Sequence, residues 1–202
     1  MRDPEFLPVM ESFYTIQGEG YFSGTPAYFV RLGGCDVGCH WCDVKESWDA
    51  TQFDWVHVNK IVDQAKTSGA ELVVITGGEP FMYDLSALTQ TLNANGLMTN
   101  VETSGAYALS GQWDWICFSP KKFKEPTADF FEKADELKVV VYNRSDLKWA
   151  EGHSEKMPSA AKRYLQPEWS KEKEMTPLIV DYIKEHPKWR ISLQTHKYMN
   201  IP

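Results

Sequence analysis

The sequence predicts an α/β fold, an open and incomplete (β/α) barrel with about six parallel strands in a single compact domain. Three observations predict it. Strand-like and helix-like patterns alternate from Thr25 to the end of the chain. Several strand candidates are continuous apolar runs, such as Leu-Val-Val-Ile from Leu72, which is the pattern of strands buried on both faces of a parallel sheet. The chain has 202 residues, enough for one domain but short of the about 250 that a closed eight-fold barrel typically uses.

In chain order the candidate strands are residues 27–32, 72–76, 98–102, 115–118, 137–142, 163–165 and 189–193. Between them, Val58, Ile61, Val62 and Ala65 recur at helical spacing. Leu85, Leu88 and Leu92 do the same, with Asp84 as the expected N-cap and Gly96 as the stop. Leu178, Ile179, Tyr182 and Ile183 mark another helix, ending near Pro187. Residues 1–8 read as an N-terminal extension, in which residues 2–6 (Arg-Asp-Pro-Glu-Phe) suit either a cloning remnant or a frayed native start, and the domain spans 9–202. At the other end, His196, Lys197 and Asn200 form a polar run after the last strand, with no closing helix expected.

Composition narrows the function classes. Lys and Arg number 21 against 28 Asp and Glu, a net charge of -7, which argues against direct nucleic-acid binding. No apolar run approaches the roughly 20 residues of a membrane span, and the acidic start lacks the basic and apolar regions of a secretory signal, so a cytoplasmic protein is expected. Four cysteines are too few for a disulfide scaffold, yet Cys35, Cys39 and Cys42 crowd into one loop.

In parallel sheets the ligand site forms beyond the carboxyl ends of the strands, where the loops converge. The unusual loops here, 33–43, 76–80, 102–105, 119–122 and 166–169, all follow candidate strands. In the first, the spacing C-x3-C-x2-C brings three thiolates toward one centre. An iron–sulfur cluster with one open iron suits three cysteines, while a zinc site would need a fourth ligand such as His40. Gly77-Gly78-Glu79-Pro80 follows a buried strand, and such glycines admit close backbone approach while exposed carbonyls and a carboxylate can accept from an ammonium. Arg31 offers the forked cation that a carboxylate ligand needs, although an arginine at a strand end also suits a surface ion pair. Cys117 sits in an apolar strand and reads as a small buried residue. His57, His153 and His186 belong to no motif and read as structural or solvated.

With these motifs the chain resembles the radical S-adenosylmethionine (SAM) superfamily and, within it, the 7-carboxy-7-deazaguanine synthases of 7-deazapurine and queuosine biosynthesis. The resemblance runs through Phe13-Tyr-Thr-Ile-Gln17-Gly18-Glu19-Gly20, Pro26-Ala-Tyr-Phe-Val-Arg31, the cysteine loop, Thr76-Gly-Gly-Glu79-Pro80, Val101-Glu-Thr-Ser104-Gly105, Phe118-Ser-Pro-Lys121, Glu136-Leu-Lys138, Leu165-Gln-Pro167 and the last ten residues. It implies a [4Fe-4S] cluster on Cys35, Cys39 and Cys42. It implies SAM contacts from Gly78, Glu79, Ser104, Ser119, Pro120, Lys121, Gln166, Pro167, Glu168 and Trp169. The implied substrate is 6-carboxy-5,6,7,8-tetrahydropterin, contacted by Ile16, Gln17, Gly18, Glu19, Arg31, Thr76, His196 and the terminal carboxylate of Pro202. The reaction implied contracts its ring to 7-carboxy-7-deazaguanine with release of ammonia, SAM being regenerated.

An electron donor such as flavodoxin or ferredoxin and a homodimer are implied as partners, with neither nucleic acid nor membrane. A glycyl-radical-enzyme activase shares the cysteine spacing and stands as the rival reading. The family also implies Mg²⁺ beside the substrate carboxylate, held at Asp43 and the threonine that commonly follows it. Here that position is Val44, whose side chain offers no oxygen, so weak Mg²⁺ dependence is expected, with Ser47 a further contributor to any shell.

Overall fold

The computed structural model describes residues 3–202. Its sheet has nine strands: β1 (Phe6–Ile16), β2 (Pro26–Leu32), β3 (Trp55–His57), β4 (Leu72–Gly77), β5 (Met98–Thr103), β6 (Trp115–Phe118), β7 (Glu136–Val141), β8 (Lys162–Pro167) and β9 (Arg190–Ile191). They lie in the order β3-β1-β2-β4-β5-β6-β7-β8-β9, and the sheet is open. Seven strands, β2 and β4 to β9, run parallel and coincide with the seven candidate strands of the sequence, where about six are expected of the barrel, and β1 pairs antiparallel with both β2 and β3.

Strand β1 corrects the sequence reading at the amino terminus. Phe6, Leu7 and Pro8 pair with His57, Val56 and Trp55, and Leu7 is buried in the main core. The 8/9 boundary therefore cuts through a strand. Pro8 is tolerated because it gives the sheet only its carbonyl, which accepts from Gly33 N–H at 2.9 Å.

The helices are α1 (Val58–Ser68), α2 (Ser86–Ala94), α3 (Asp129–Lys133), α4 (Ser145–Ser154), α5 (Glu172–Glu185) and α6 (Thr195–Met199). For α1, His57 is the N-cap and its Nδ1 accepts from Asn59 N–H at 3.1 Å, so this histidine has a structural task. Asp84 lies one residue ahead of its expected place: the N-cap of α2 is Leu85, and Asp84 Oδ1 accepts from Ser86 N–H at 2.9 Å. The tail differs more. A single turn, α6, closes it and ends at Asn200 in the left-handed conformation.

Alternation along the strands decides what faces the site. Val30 of β2, Val73 and Ile75 of β4, Val101 of β5, Leu137 and Val139 of β7 and Leu165 of β8 pack in one core with Ile61, Leu88, Leu147 and Ile179 of the helices. The intervening residues, Arg31, Thr76, Glu102, Lys138 and Gln166, line a cavity instead. No helix among the described residues is long and apolar enough to cross a membrane.

Candidate functional site

The cavity, ≈ 270 Å³ in volume, lies where the parallel strands end and the loops after them converge. Cys35, Cys39 and Cys42 line it, and all three are free thiols. Their loop is held from outside: Asp36 accepts from Lys124 Nζ at 2.8 and 2.9 Å and from the Tyr107 hydroxyl at 2.6 Å. Burial raises the Cys35 and Cys39 thiols, Cys39 to about 11, despite the nearby Lys121 charge. His40 is exposed and packs edge-on against Phe123 and Tyr142, away from the cavity lining, so it does not complete a fourth ligand. Cys117 is buried in β6, its thiol pushed well up by burial. Among the described residues these three thiols are the only sulfurs lining the cavity, the donor count of a cluster that keeps one iron open.

Gly78 and Glu79 adjoin the cysteines by close backbone contact. A Cβ on Gly78 would stand 2.0 Å from Gly34 O, and Glu79 N–H donates to the same carbonyl at 2.8 Å. Glu79 is 1% exposed. One of its oxygens accepts from Thr103 Oγ1 (2.6 Å) and Phe81 N–H (3.2 Å), the other from Ser104 N–H (2.8 Å) and Ser104 Oγ (2.5 Å). Ser119 and Lys121 line the cavity together, the Lys121 ammonium donating to Ser119 O and, at 2.7 Å, to Ser119 Oγ. Burial lowers the Lys121 pKa. Pro120 between them is buried behind these two lining residues. Gln166, Pro167, Glu168 and Trp169 line the same cavity. The Glu168 carboxylate accepts from Ser170 N–H (3.2 Å) and Ser170 Oγ (2.5 Å), capping the turn Trp169–Lys171.

Opposite them, Ile16, Gln17, Gly18 and Glu19 form a wall with a closed polar ring. Gln17 Nε2 donates to Glu102 Oε1 (2.9 Å), Lys138 Nζ to Glu102 Oε2 (2.8 Å) and Glu19 Oε2 (2.6 Å), and Glu19 N–H to Gln17 Oε1 (3.0 Å). Burial alone would raise Glu19, but the Lys138 charge and hydrogen bonds from Lys138, Gln194 and Gln166 bring it to about 2. The two carboxylates in turn hold the buried Lys138 ammonium well above its ordinary value. Glu102, Lys138 and Gln194 carry no assignment in the sequence reading. The signal for two of them is a charged residue at an inward position of an otherwise apolar strand.

The tail reaches this wall through Thr195, whose N–H and hydroxyl both meet Gly18 O at 3.0 Å. His196 and Pro202 line the cavity, and Thr15 Oγ1 donates to Pro202 O at 3.2 Å. Burial lowers the His196 pKa, which favours the neutral ring near pH 7. Arg31 lines the cavity while its Nε donates to Glu11 Oε1 at 2.7 Å, so the ion pair and the cavity position coexist. Thr76 stands beside it.

Mg²⁺ finds no such fit. Asp43 is bonded to Lys197 Nζ at 2.8 Å, Val44 brings hydrocarbon to the cavity, and Ser47 is buried with its hydroxyl donating to Val44 O at 2.7 Å.

The radical SAM superfamily model matches residues 29–138, from β2 through β7. A 7-carboxy-7-deazaguanine synthase of Flavobacterium psychrophilum is 58% identical over 98% of this chain and 94% of its own length. The chain belongs to this family. The synthase of Synechocystis sp. is 48% identical over 96% of this chain and 93% of its own. The crystal structure of QueE from Escherichia coli superposes with a TM-score of 0.85 at 31% identity, covering 93% of each chain. These synthases match far beyond residue 138, so β8, α5, β9 and α6 belong to the family resemblance too. The activase reading is not favoured.

Proposed function

We propose that the chain converts 6-carboxy-5,6,7,8-tetrahydropterin to 7-carboxy-7-deazaguanine with release of ammonia, using SAM catalytically, in queuosine or another 7-deazapurine pathway. One observation carries the reading: the cysteine triad, the Gly78–Glu79 loop and a buried ring of donors and acceptors face a single cavity. When bound, the cluster and SAM together would supply reversible hydrogen-atom-transfer chemistry at C6 of the substrate.

Cys35, Cys39 and Cys42 hold the cluster as thiolates, their protons leaving as it assembles. Backbone carbonyls of the Gly78 loop meet the methionine ammonium of SAM. Glu79, whose four acceptor positions are filled by the fold, adds negative charge and fixes that loop. Ser104, Ser119, Lys121, Gln166, Pro167, Glu168 and Trp169 surround the remainder of SAM, with Pro120 shaping their loop from behind.

The pterin lies against Ile16, Gln17 and Gly18. Its 2-amino and N3–H donors suit a wall bearing Glu19 and Glu102, both bonded to the Lys138 ammonium. Thr76 and neutral His196 offer further hydrogen bonds, Pro202 closes the pocket, and Arg31 pairs with the substrate carboxylate. These groups hold C6 toward SAM and exclude water. Flavodoxin or ferredoxin as electron donor, a homodimer and the cytoplasm complete the reading.

The test is anaerobic turnover. The reconstituted protein receives SAM, reductant and the pterin, and a product with the mass of 7-carboxy-7-deazaguanine supports the proposal. Net SAM cleavage with the pterin unchanged contradicts it.

A further inference from the structure

We propose that this chain holds the carboxylate of its substrate without a divalent cation, the Lys197 ammonium standing at Asp43 in the place a metal ion would need. The inference rests on the pterin reading above and identifies the cation of its carboxylate subsite.

Lys197 Nζ lies 2.8 Å from Asp43 Oδ2 and 5.0 Å from the centroid of the Trp169 ring. Both partners line the cavity while Lys197 itself does not, so the ammonium stands directly behind that lining, between a lining carboxylate and a lining ring. The Lys197 side chain is 21% exposed and that of Asp43 57% exposed, so the ammonium is the more shielded partner of the pair. Its backbone is fixed as well: the two Thr195 hydrogen bonds to Gly18 O set where α6 leaves the wall, two residues before Lys197. The same short segment thus brings His196 into the cavity and Lys197 to its edge.

A divalent ion would find this position occupied by charge and poor in oxygen. Mg²⁺ takes a near-octahedral oxygen shell, and the side chain after Asp43 is Val44. Ser47 is 1% exposed, with its hydroxyl turned toward the Val44 carbonyl. An ammonium at hydrogen-bond distance from Asp43 repels a doubly charged ion brought to the same oxygen. For a carboxylate ligand the arrangement is favourable. Lys197 has three protons and gives Asp43 one, leaving donors for a second acceptor, and Arg31 faces the cavity as the other cation. Asp43 then orients Lys197 and does not itself ligate a metal.

The experiment measures pterin binding to the anaerobic, reconstituted, SAM-loaded protein in EDTA and in Mg²⁺, and titrates Mn²⁺ into the same complex with electron paramagnetic resonance of the free ion as readout. Wild type is expected to bind the pterin equally in both buffers, within about twofold, and to take up no stoichiometric Mn²⁺. Lys197→Met is expected to weaken pterin binding by about tenfold or more, with iron content and SAM affinity unchanged, and Lys197→Arg to recover part of the loss. Pterin binding that EDTA abolishes, stoichiometric Mn²⁺ uptake by wild type, or wild-type pterin affinity in Lys197→Met overturns the proposal while leaving the functional reading intact. A wild type that binds no pterin in either buffer overturns both.

Discussion

The Glu79 carboxylate accepts both the backbone N–H and the hydroxyl of Ser104, at 2.8 and 2.5 Å, and so ties the loop after β4 to the end of β5. With Phe81 and Thr103 on its other oxygen, this buried anion is held by donors alone. In Glu79→Gln an amide NH₂ must face one of these donor pairs. The expected loss is about 2 kcal/mol of unfolding free energy in urea. Because the adjoining Gly78 loop shifts with it, SAM affinity is expected to fall too. Unchanged stability would show that the donors turn away freely and that the brace is not needed.

Lys138 is 3% exposed between Glu19 and Glu102, and removing it leaves two carboxylates facing each other in a buried wall. Lys138→Met is expected to destabilise the protein by about 3–5 kcal/mol, more than Glu19→Gln does. The pH dependence has a definite sign. Glu19 titrates at about 2 in the folded protein against an ordinary 4.5, so its contribution is present above 4.5 and is lost as pH falls toward 2. Denaturation of the metal-free protein over that window should therefore show a shallower acid loss in Glu19→Gln than in wild type. Parallel curves would contradict the assignment.

The cysteine assignments separate cleanly by variant. Alanine at Cys35, Cys39 or Cys42 is expected to abolish turnover and the charge-transfer absorption of the reconstituted protein. Cys117→Ala removes a small buried group from β6 and is expected to cost about 1 kcal/mol with full iron content. Iron lost from the Cys117 variant would move the ligand set.

How much of this was legible in the sequence follows from where each contact comes from. Cys35, Cys39, Cys42 and Gly77 to Pro80 act through local spacing, which a sequence displays directly. The parallel core was legible for the same reason, since strands such as β4 and β7 are apolar runs. Strand β1 escaped because Pro8 interrupts it and because residues 2–6 suit a dispensable start. Helix α6 is five residues long, too short for periodicity to show. The Gln17, Glu102, Lys138 and Glu19 ring joins one loop, at 17–19, to two strand positions far along the chain, and only the sheet order brings them together. The Asp43–Lys197 pair spans 154 residues and is invisible to any local pattern.

Gly18 carries a separate prediction about the tail. A Cβ there would stand 2.3 Å from His196 Nδ1 and 2.7 Å from His196 N. The backbone contact cannot be relieved by a side-chain rotation, so Gly18→Ala must push α6 outward. Turnover is expected to fall by about tenfold to a hundredfold through misplaced substrate, with SAM affinity retained. Unchanged turnover would mean that the tail does not position the substrate.

Arg31→Lys keeps the charge but loses the fork, and is expected to weaken pterin binding by about tenfold with SAM binding unchanged. Titration of the pterin into the SAM-loaded variant reads this directly, and equal affinity in wild type and variant would count against Arg31 as the carboxylate's partner.

The central claim is that one cavity carries out ring contraction on a carboxylated pterin while conserving SAM. Mass spectrometry of an anaerobic turnover with limiting SAM and excess 6-carboxy-5,6,7,8-tetrahydropterin tests it most directly. The expected result is more 7-carboxy-7-deazaguanine than SAM supplied, with ammonia formed in step. Product that never exceeds the SAM supplied, or SAM cleavage with the pterin intact, would contradict it.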